Sequence, residues 1–443
     1  MTLFSNVELS ENSLKHRKGS VFGSATLIAG TTVGAGILAL PLVTTPAGLV
    51  PSTVLMVLSW LYMLVSGLLI AEANLRVMQR VGRSQVGLLA TIQDSLGRWG
   101  AIASGVVYVF IHYALLVAYV SRGGGILTTA LENMYLRLSI PLTVSSWTGH
   151  VLFVVLFGSV LFLGSERFVS RLNSLLVGIF IVSFVRLLWL TVEKVEVSRW
   201  SNQHWELVSA VIPVMFVAFV YQNVVPVVTH QLEGDAQRVR RAIVLGSLVP
   251  LAMFSIWNAV ILGSVDWRGG WFDGVDPTEL LRGGLGRPGI GVVASVFSEF
   301  AIATSFIGFS LGLFSVLEDI FRNIKIASSL LRRLLFYALI LLPPLALSAV
   351  NPNIFLSAIG WAGAFGNSVL FGIIPAVMMW KLQADPFIAQ TASPQLDGKV
   401  HQKINPKASV TFLFYGKRGV LSVMIGIAIF VIVQNAAIKL NML

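Results

Sequence analysis

Eleven runs of roughly 20 apolar residues, each bounded by charge, proline or glycine, constrain this chain more than anything else in it. A hydrocarbon core of about 30 Å is crossed by a helix of that length, and only helices or closed barrels satisfy their backbone groups there. The runs cover Ser20–Val43, Pro51–Val77, Ala101–Leu127, Trp147–Gly164, Leu172–Val192, Leu207–His230, Ile243–Val265, Ile290–Leu317, Leu334–Val350, Ile354–Trp380 and Val420–Ala437. They predict an all-α integral membrane protein. Composition agrees, since 56% of residues are hydrophobic, 12% are charged and the mean hydropathy is +0.82. The absence of cysteine excludes a disulfide scaffold, a thiolate metal site and a cysteine nucleophile, and six scattered histidines leave little for a metal. The net charge of +11 falls in short clusters between apolar runs and forms no single face, so it speaks for membrane topology and against nucleic acid.

Lysine and arginine are retained on the cytoplasmic side of short loops, so the clusters also predict orientation. With the N-terminus inside, twenty-two of the 31 basic residues fall on the inner side and eight on the outer, with Arg186 within a span. Moving one helix would invert every later loop, so the count supports eleven spans, N-terminus in and C-terminus out. The first span is too long and glycine-rich for a cleavable signal, and Lys15, Arg17 and Lys18 before it fit a cytoplasmic anchor. The expected organisation is a cytoplasmic tail at 1–19, spans one to five at 20–192, spans six to ten at 207–380, a proline-dotted cytoplasmic linker at 381–419, and an eleventh helix with the C-terminus at 420–443. The outer loop Asp266–Pro288 fits a short lid, and neither it nor the linker is long enough for a catalytic domain.

Two spans are interrupted. Three glycines and two threonines fall within seven residues of the first, Gly30-Thr31-Thr32-Val33-Gly34-Ala35-Gly36, with Pro41 following. A helix unwound there frees backbone groups at mid-membrane, which is tolerable only where they line an enclosed cavity or hold a ligand. A helix-packing groove is the competing use of Gly30 and Gly34. The sixth span carries Gln222-Asn223 and Pro226, with Pro213 upstream; the amides need partners in hydrocarbon, and each proline removes a donor. Span six runs opposite to span one, so the two breaks predict an inverted repeat, spans one to five against six to ten, with one helix added. Transporters built this way hold substrate at the midplane, where a half-helix N-terminus offers N–H groups to an anionic group such as a carboxylate.

The stretch Gly30-Thr31-Thr32-Val33-Gly34-Ala35-Gly36-Ile37-Leu38-Ala39-Leu40-Pro41 resembles the first-helix signature of the hydroxy/aromatic amino acid permeases, typified by bacterial tyrosine and tryptophan permeases. Further matches are Leu69-Ile70-Ala71-Glu72-Ala73-Asn74, Tyr221-Gln222-Asn223-Val224-Val225-Pro226 with Gln231-Leu232-Glu233-Gly234-Asp235, and Ala303-Thr304-Ser305-Phe306-Ile307-Gly308 with Leu311-Gly312-Leu313-Phe314. The resemblance covers spans one to ten in order. It implies the five-plus-five inverted repeat of the amino acid, polyamine and organocation superfamily, an inner-membrane location, and proton-coupled uptake of tyrosine or tryptophan without a cofactor.

The first candidate site is the main chain at Gly30, Thr31, Thr32, Gly34, Ala35 and Gly36, as the seat of a substrate carboxylate. Phe216, Phe219 and Tyr221 are candidates to wall an aromatic ring, and Gln222 and Asn223 to make polar contacts with the substrate. The resemblance places Thr304 and Ser305 beside the carbonyls of Gly30 and Val33, where sodium-coupled relatives hold a cation; hydroxyls in membrane helices also bond back to their own turn. His112, near mid-depth in the third span, is the candidate proton relay, since imidazole is the side chain whose ordinary charge change falls near neutral pH. Glu72, late in span two, is a second coupling candidate with capping or ion pairing as its alternative. Arg122, Arg186 and Glu299 fall in the outer third and suggest a structural charge cluster, and Glu233 and Asp235 suggest surface pairing with Arg238, Arg240 and Arg241.

Two motifs are set aside. Gly284-Leu285-Gly286-Arg287-Pro288-Gly289 fits GxGxxG without the strand a dinucleotide fold requires, and Asp273 with Asp276 lacks a companion acidic motif. The expected function is therefore secondary active symport of an aromatic L-amino acid, with the proton as coupling ion and the lipid bilayer as the chain's other partner. Sodium coupling or a broader neutral amino acid range is the alternative on the same fold. An integral membrane enzyme would need a reactive constellation at one membrane face, and a channel a repeated polar stripe; neither is present in the sequence. Oligomeric state is left open.

Overall fold

The computed structural model describes residues 3, 7–10, 13–16, 19–34, 36–82, 85–139, 144–264, 288–321, 328–383 and 418–440. Ala35, the loop 265–287 and most of the linker, 384–417, lie outside the described residues, and the two discarded motifs fall in or largely in that loop. Each of the eleven apolar runs is helical. Among the described residues, nine helices are long and apolar enough to cross a membrane alone, a tenth span is a pair bent by 55°, Val21–Thr32 with Gly36–Thr44, and the eleventh is the shorter apolar helix Trp147–Leu163. The side bearing the N-terminal tail is the tail side below, and the opposite one the far side.

Span 2 is Leu49–Val81 and span 3 belongs to a helix assigned from Leu88 to Arg137. Gly97 interrupts the latter with φ 80 and ψ −177, a dihedral pair that glycine takes without a Cβ penalty, so Leu88 to Leu96 is a separate tail-side segment before the crossing. Spans 4 and 5 are Ser146–Leu163 and Glu166–Val192; span 7 is Ala236–Ser264, span 8 Pro288–Ile320 and span 9 Ser329–Val350. Span 6 is Val208–Ala218, then Phe219 to Tyr221 outside the helix, a 3-10 turn Gln222–Val224, and Val225–Gln231. Span 10 begins as Phe355–Trp361, widens into a π-helix over Ala362–Ile373 and returns to α over Ile374–Gln383; span 11 is Arg418–Leu440.

Spans 1, 2, 3, 6, 7, 8 and 10 supply most of the buried core, while the faces of spans 4, 5, 9 and 11 carry exposed Leu, Ile, Val and Phe suited to lipid. One departure from the expected all-α class is a short antiparallel hairpin in the tail, β1 Val7–Ser10 with β2 Ser13–His16, registered Val7 to His16. The Leu3 N–H donates to the Glu233 carbonyl at 2.8 Å, so the tail reaches the turn after span 6. Glu233 is fully buried in that turn, with φ 55, and so does not lie on the surface where pairing was expected. Asp235 instead accepts the Gln237 and Arg238 N–H groups at 3.1 Å each, capping span 7.

Candidate functional site

The first break is built from glycine and held open by its neighbours. Thr32 ends the first half-helix, Val33 still donates to the Ala29 carbonyl at 2.9 Å, and the second half starts at Gly36, with the Ile37 N–H donating to Gly34 at 3.2 Å. Pro41 cannot donate to the Ile37 carbonyl four residues back. The Trp257 indole N–H of span 7 fills that vacancy at 3.1 Å. A second contact fixes the far-side half: Thr44 donates to Asn258 Oδ1 at 2.5 Å, and Asn258 donates to Ser52 Oγ at 3.0 Å, tying spans 1, 7 and 2.

The glycines of this break do different things. A Cβ on Gly36 would stand 2.9 Å from the Ala218 Cα, so the start of the second half of span 1 lies directly against the end of the first half of span 6. A Cβ on Gly34 would collide with Ser305 Oγ of span 8, whereas one on Gly30 would meet nothing within 4 Å. Gly30 is thus not the floor of a helix-packing groove, and Gly34 and Gly36 are points of close approach. Thr31 and Thr32 donate to the Leu27 and Ile28 carbonyls at 2.8 Å each, leaving their oxygens able to accept.

The sixth-span break is latched by side chains. Past Ala218 the Tyr221 N–H has left the helix ladder, and it donates to Gln222 Oε1 at 2.9 Å. The other end of that amide donates to the Met63 carbonyl of span 2 at 3.0 Å, where the Tyr221 hydroxyl also donates at 3.3 Å. Gln222 is fully buried and its polar atoms are engaged within the protein. Asn223 is half-buried, and its Oδ1 has no hydrogen-bond partner among the described residues. Phe216 stacks on Tyr62 at 4.8 Å and 3°, and Phe219 packs at a tilt on Phe254 of span 7 at 5.3 Å. Ring pairs of this kind contribute about 0.5–1.5 kcal/mol beyond burial.

Beside the first break runs a polar seam between spans 3 and 8. Ser305 hydrogen-bonds Tyr119, a residue sequence reasoning passed over, and Tyr119 meets Phe309 edge-on at 5.8 Å. Thr304 donates within its own helix, to the Phe300 and Ala301 carbonyls at 3.0 Å. His112 donates from Nδ1 to the Tyr108 carbonyl at 2.8 Å, stacks on Tyr108 at 4.0 Å and packs on Phe309 at 5.0 Å. Glu72 is away from both breaks, in a buried pair with Arg76 at 2.7 Å one turn along span 2. A further buried amide that sequence reasoning missed is Asn367 in the π-helix of span 10, with neither side-chain atom hydrogen-bonded among the described residues. The structure therefore brings Gly34, Gly36, Ser305 and the end of the first half of span 6 together, and leaves Glu72 apart.

Such a site can bind rather than react. Two antiparallel broken helices meet at their breaks, so two half-helix N-termini and two half-helix C-termini converge, a setting for a molecule carrying both an anion and a cation. Known proteins resemble this chain. The model of the tryptophan/tyrosine permease family matches residues 17–386. A tryptophan-specific transport protein of Shigella flexneri is 30% identical over 374 residues, covering 81% of this chain and 86% of its own. A tyrosine-specific transport system 1 protein of Haemophilus influenzae is 27% identical over 368 residues, covering 81% and 87%. Among solved structures, MhsT in complex with L-phenylalanine superposes with a TM-score of 0.58 at 15% identity, covering 94% of this chain and 100% of that one.

Proposed function

The chain belongs to the tryptophan/tyrosine permease family, and from that premise we propose that it imports an aromatic L-amino acid, tryptophan or tyrosine, in symport with protons. Membership makes it a multi-pass membrane protein of amino acid transport and not an enzyme. The single observation carrying the finer reading is the contact of Gly36 with Ala218, which sets the two breaks face to face.

The substrate carboxylate sits on the main-chain N–H groups from Gly34 through Gly36, at the positive end of the half-helix Gly36–Thr44. The ammonium faces the carbonyl ends of Val21–Thr32 and Val208–Ala218, with the Thr31 and Thr32 oxygens as acceptors. Each such half-helix contribution is about 0.3–2 kcal/mol, and desolvation raises it. Phe216, Phe219 and Tyr221 wall the ring. Asn223 is the better of the two amides for the ring's phenol O–H or indole N–H, because its Oδ1 is uncommitted while Gln222 holds the break to span 2.

Two inverted repeats, 20–192 and 207–380, rock about this site by alternating access. The tail side is the cytoplasm and the C-terminus is outside, as the basic residues require in a bacterial inner membrane. His112, buried on span 3, relays the proton; Glu72 pairs with Arg76 and serves structure. The competing reading is sodium at Thr304 and Ser305, favoured by the contact of Ser305 with Gly34.

The experiment is uptake into liposomes. An inward proton gradient should drive labelled tryptophan or tyrosine above its external concentration, and replacing sodium by choline should change nothing. Equilibration only, or collapse in choline, overturns proton symport.

A further inference from the structure

A symporter needs a group that takes up a proton from one side and yields it to the other, and the seam between spans 3 and 8 holds one that the reading above leaves unused. The spans are antiparallel. His112 Nε2 lies 3.0 Å from where a Gly312 Cβ would stand, Tyr119 hydrogen-bonds Ser305, and the charge of Arg122 acts on Glu299. As span 3 climbs from the tail side through 112, 119 and 122, span 8 is met at 312, 305 and 299. Glu299 therefore stands on the far side of Ser305, the residue that abuts Gly34 in the first break.

Both Glu299 oxygens are buried and make no hydrogen bond among the described residues. A carboxylate fixed in a structural ion pair would accept charge-assisted bonds of about 2.7–2.9 Å. The Arg122 guanidinium carbon stands 5.9 Å from the centre of the Phe355 ring at the start of span 10. Span 10 also receives Ser121, which donates to the Pro352 carbonyl at 2.5 Å just before it. Arg122 thus lies against span 10 while its charge acts on Glu299 of span 8, so relative movement of the two spans changes the field on that carboxylate.

We infer that Glu299 is the residue that binds the coupling proton, taking it while the charge of Arg122 is farther away and losing it when that charge draws nearer. This rests on the proton-symport reading. In the step, a proton from water on the far side bonds to one carboxylate oxygen and gives a neutral carboxylic acid. After isomerisation the same proton passes to water on the tail side, and the carboxylate again faces the charge of Arg122. A buried carboxylate without its cation is strongly disfavoured, so protonation and the position of Arg122 are linked. Among the described residues, other charges near the seam do not compete. Span 5 sets Phe180 and Phe184 against Phe297, while its Arg186 is exposed on another face and Arg167 and Arg171 lie at its tail-side start. Span 4 contributes His150, and span 9 contributes Arg332, paired with Glu318 at 3.1 Å, and Arg333, which donates to the Leu161 and Gly164 carbonyls.

The test is Glu299→Gln in proteoliposomes, with labelled tryptophan and tyrosine as probes. Gradient-driven accumulation should be lost, leaving equal concentrations on both sides, while exchange of internal for external amino acid continues at near the wild-type rate. Accumulation as in wild type overturns the assignment, and so does loss of exchange in a folded, inserted variant, which would mark a structural or binding role. If the glutamine variant does not fold, Glu299→Asp decides: accumulation with a displaced pH optimum supports the assignment, and an unaltered pH profile overturns it. A wild-type protein that ignores the proton gradient removes symport itself, whereas a wild type that obeys it beside an equally coupled Glu299→Gln removes only this inference.

Discussion

The two breaks solve the same physical problem in opposite ways. In the first span, small residues let the chain leave the helix, and neighbours close around it: Ser305 against Gly34, Ala218 against Gly36, and the Trp257 indole on the carbonyl that Pro41 abandons. In the sixth span, side chains of the break itself do the holding, Gln222 satisfying the Tyr221 N–H and gripping Met63. The difference teaches which break is free to serve a ligand. Main chain capped by its own amide has little left to offer, whereas main chain exposed by glycine keeps its N–H groups for a guest.

That contrast predicts that changes in the first break strike affinity and changes in the sixth strike stability. The largest effect should come from Gly36→Val, whose side chain must enter space held by the Ala218 backbone. Overpacking of about 3 kcal/mol corresponds to a loss of more than about 100-fold in transport, measured as uptake per inserted protein; normal affinity would remove the break as the carboxylate site. Next is Gln222→Leu, which strands the Tyr221 N–H and removes the amide's bond to the Met63 carbonyl. A loss of about 2 kcal/mol in stability should lower the thermal unfolding midpoint, with substrate affinity in the surviving protein close to wild type. The reverse pattern, intact stability with lost affinity, would place Gln222 on the substrate.

Gly34→Ala should cost about tenfold in affinity, near 1.4 kcal/mol, because the Ser305 hydroxyl that it meets is the end of a side chain and can turn away. Pairing it with Ser305→Ala should recover part of that loss in a double-mutant cycle. Smallest is Trp257→Phe, which removes one hydrogen bond to the Ile37 carbonyl and should reduce stability by about 1 kcal/mol, read as a small fall in the unfolding midpoint.

The spans were legible because about 20 residues of unbroken hydropathy have few other uses. Both breaks were legible too, since glycine clusters, paired amides and prolines are costly inside hydrocarbon unless they do something there. What escaped lies in relations between helices. Tyr108, His112, Tyr119 and Arg122 fall at spacings of 4, 7 and 3 and share one face of span 3, a stripe that a periodicity search would have found. That its partners are Ser305 and Glu299 depends on the register of two antiparallel spans, which neither sequence segment contains. The π-helix around Asn367 widens the turn without a distinctive residue pattern, and the burial of Glu233 depends on Leu3 more than two hundred residues earlier.

A high-resolution structure with bound tryptophan or tyrosine locates the substrate's negative end. Both carboxylate oxygens should lie within hydrogen-bond distance of the main-chain N–H groups from Gly34 through Gly36, between the two breaks. A carboxylate lodged on side chains elsewhere, with those N–H groups bonded within a continuous first helix, would contradict this placement.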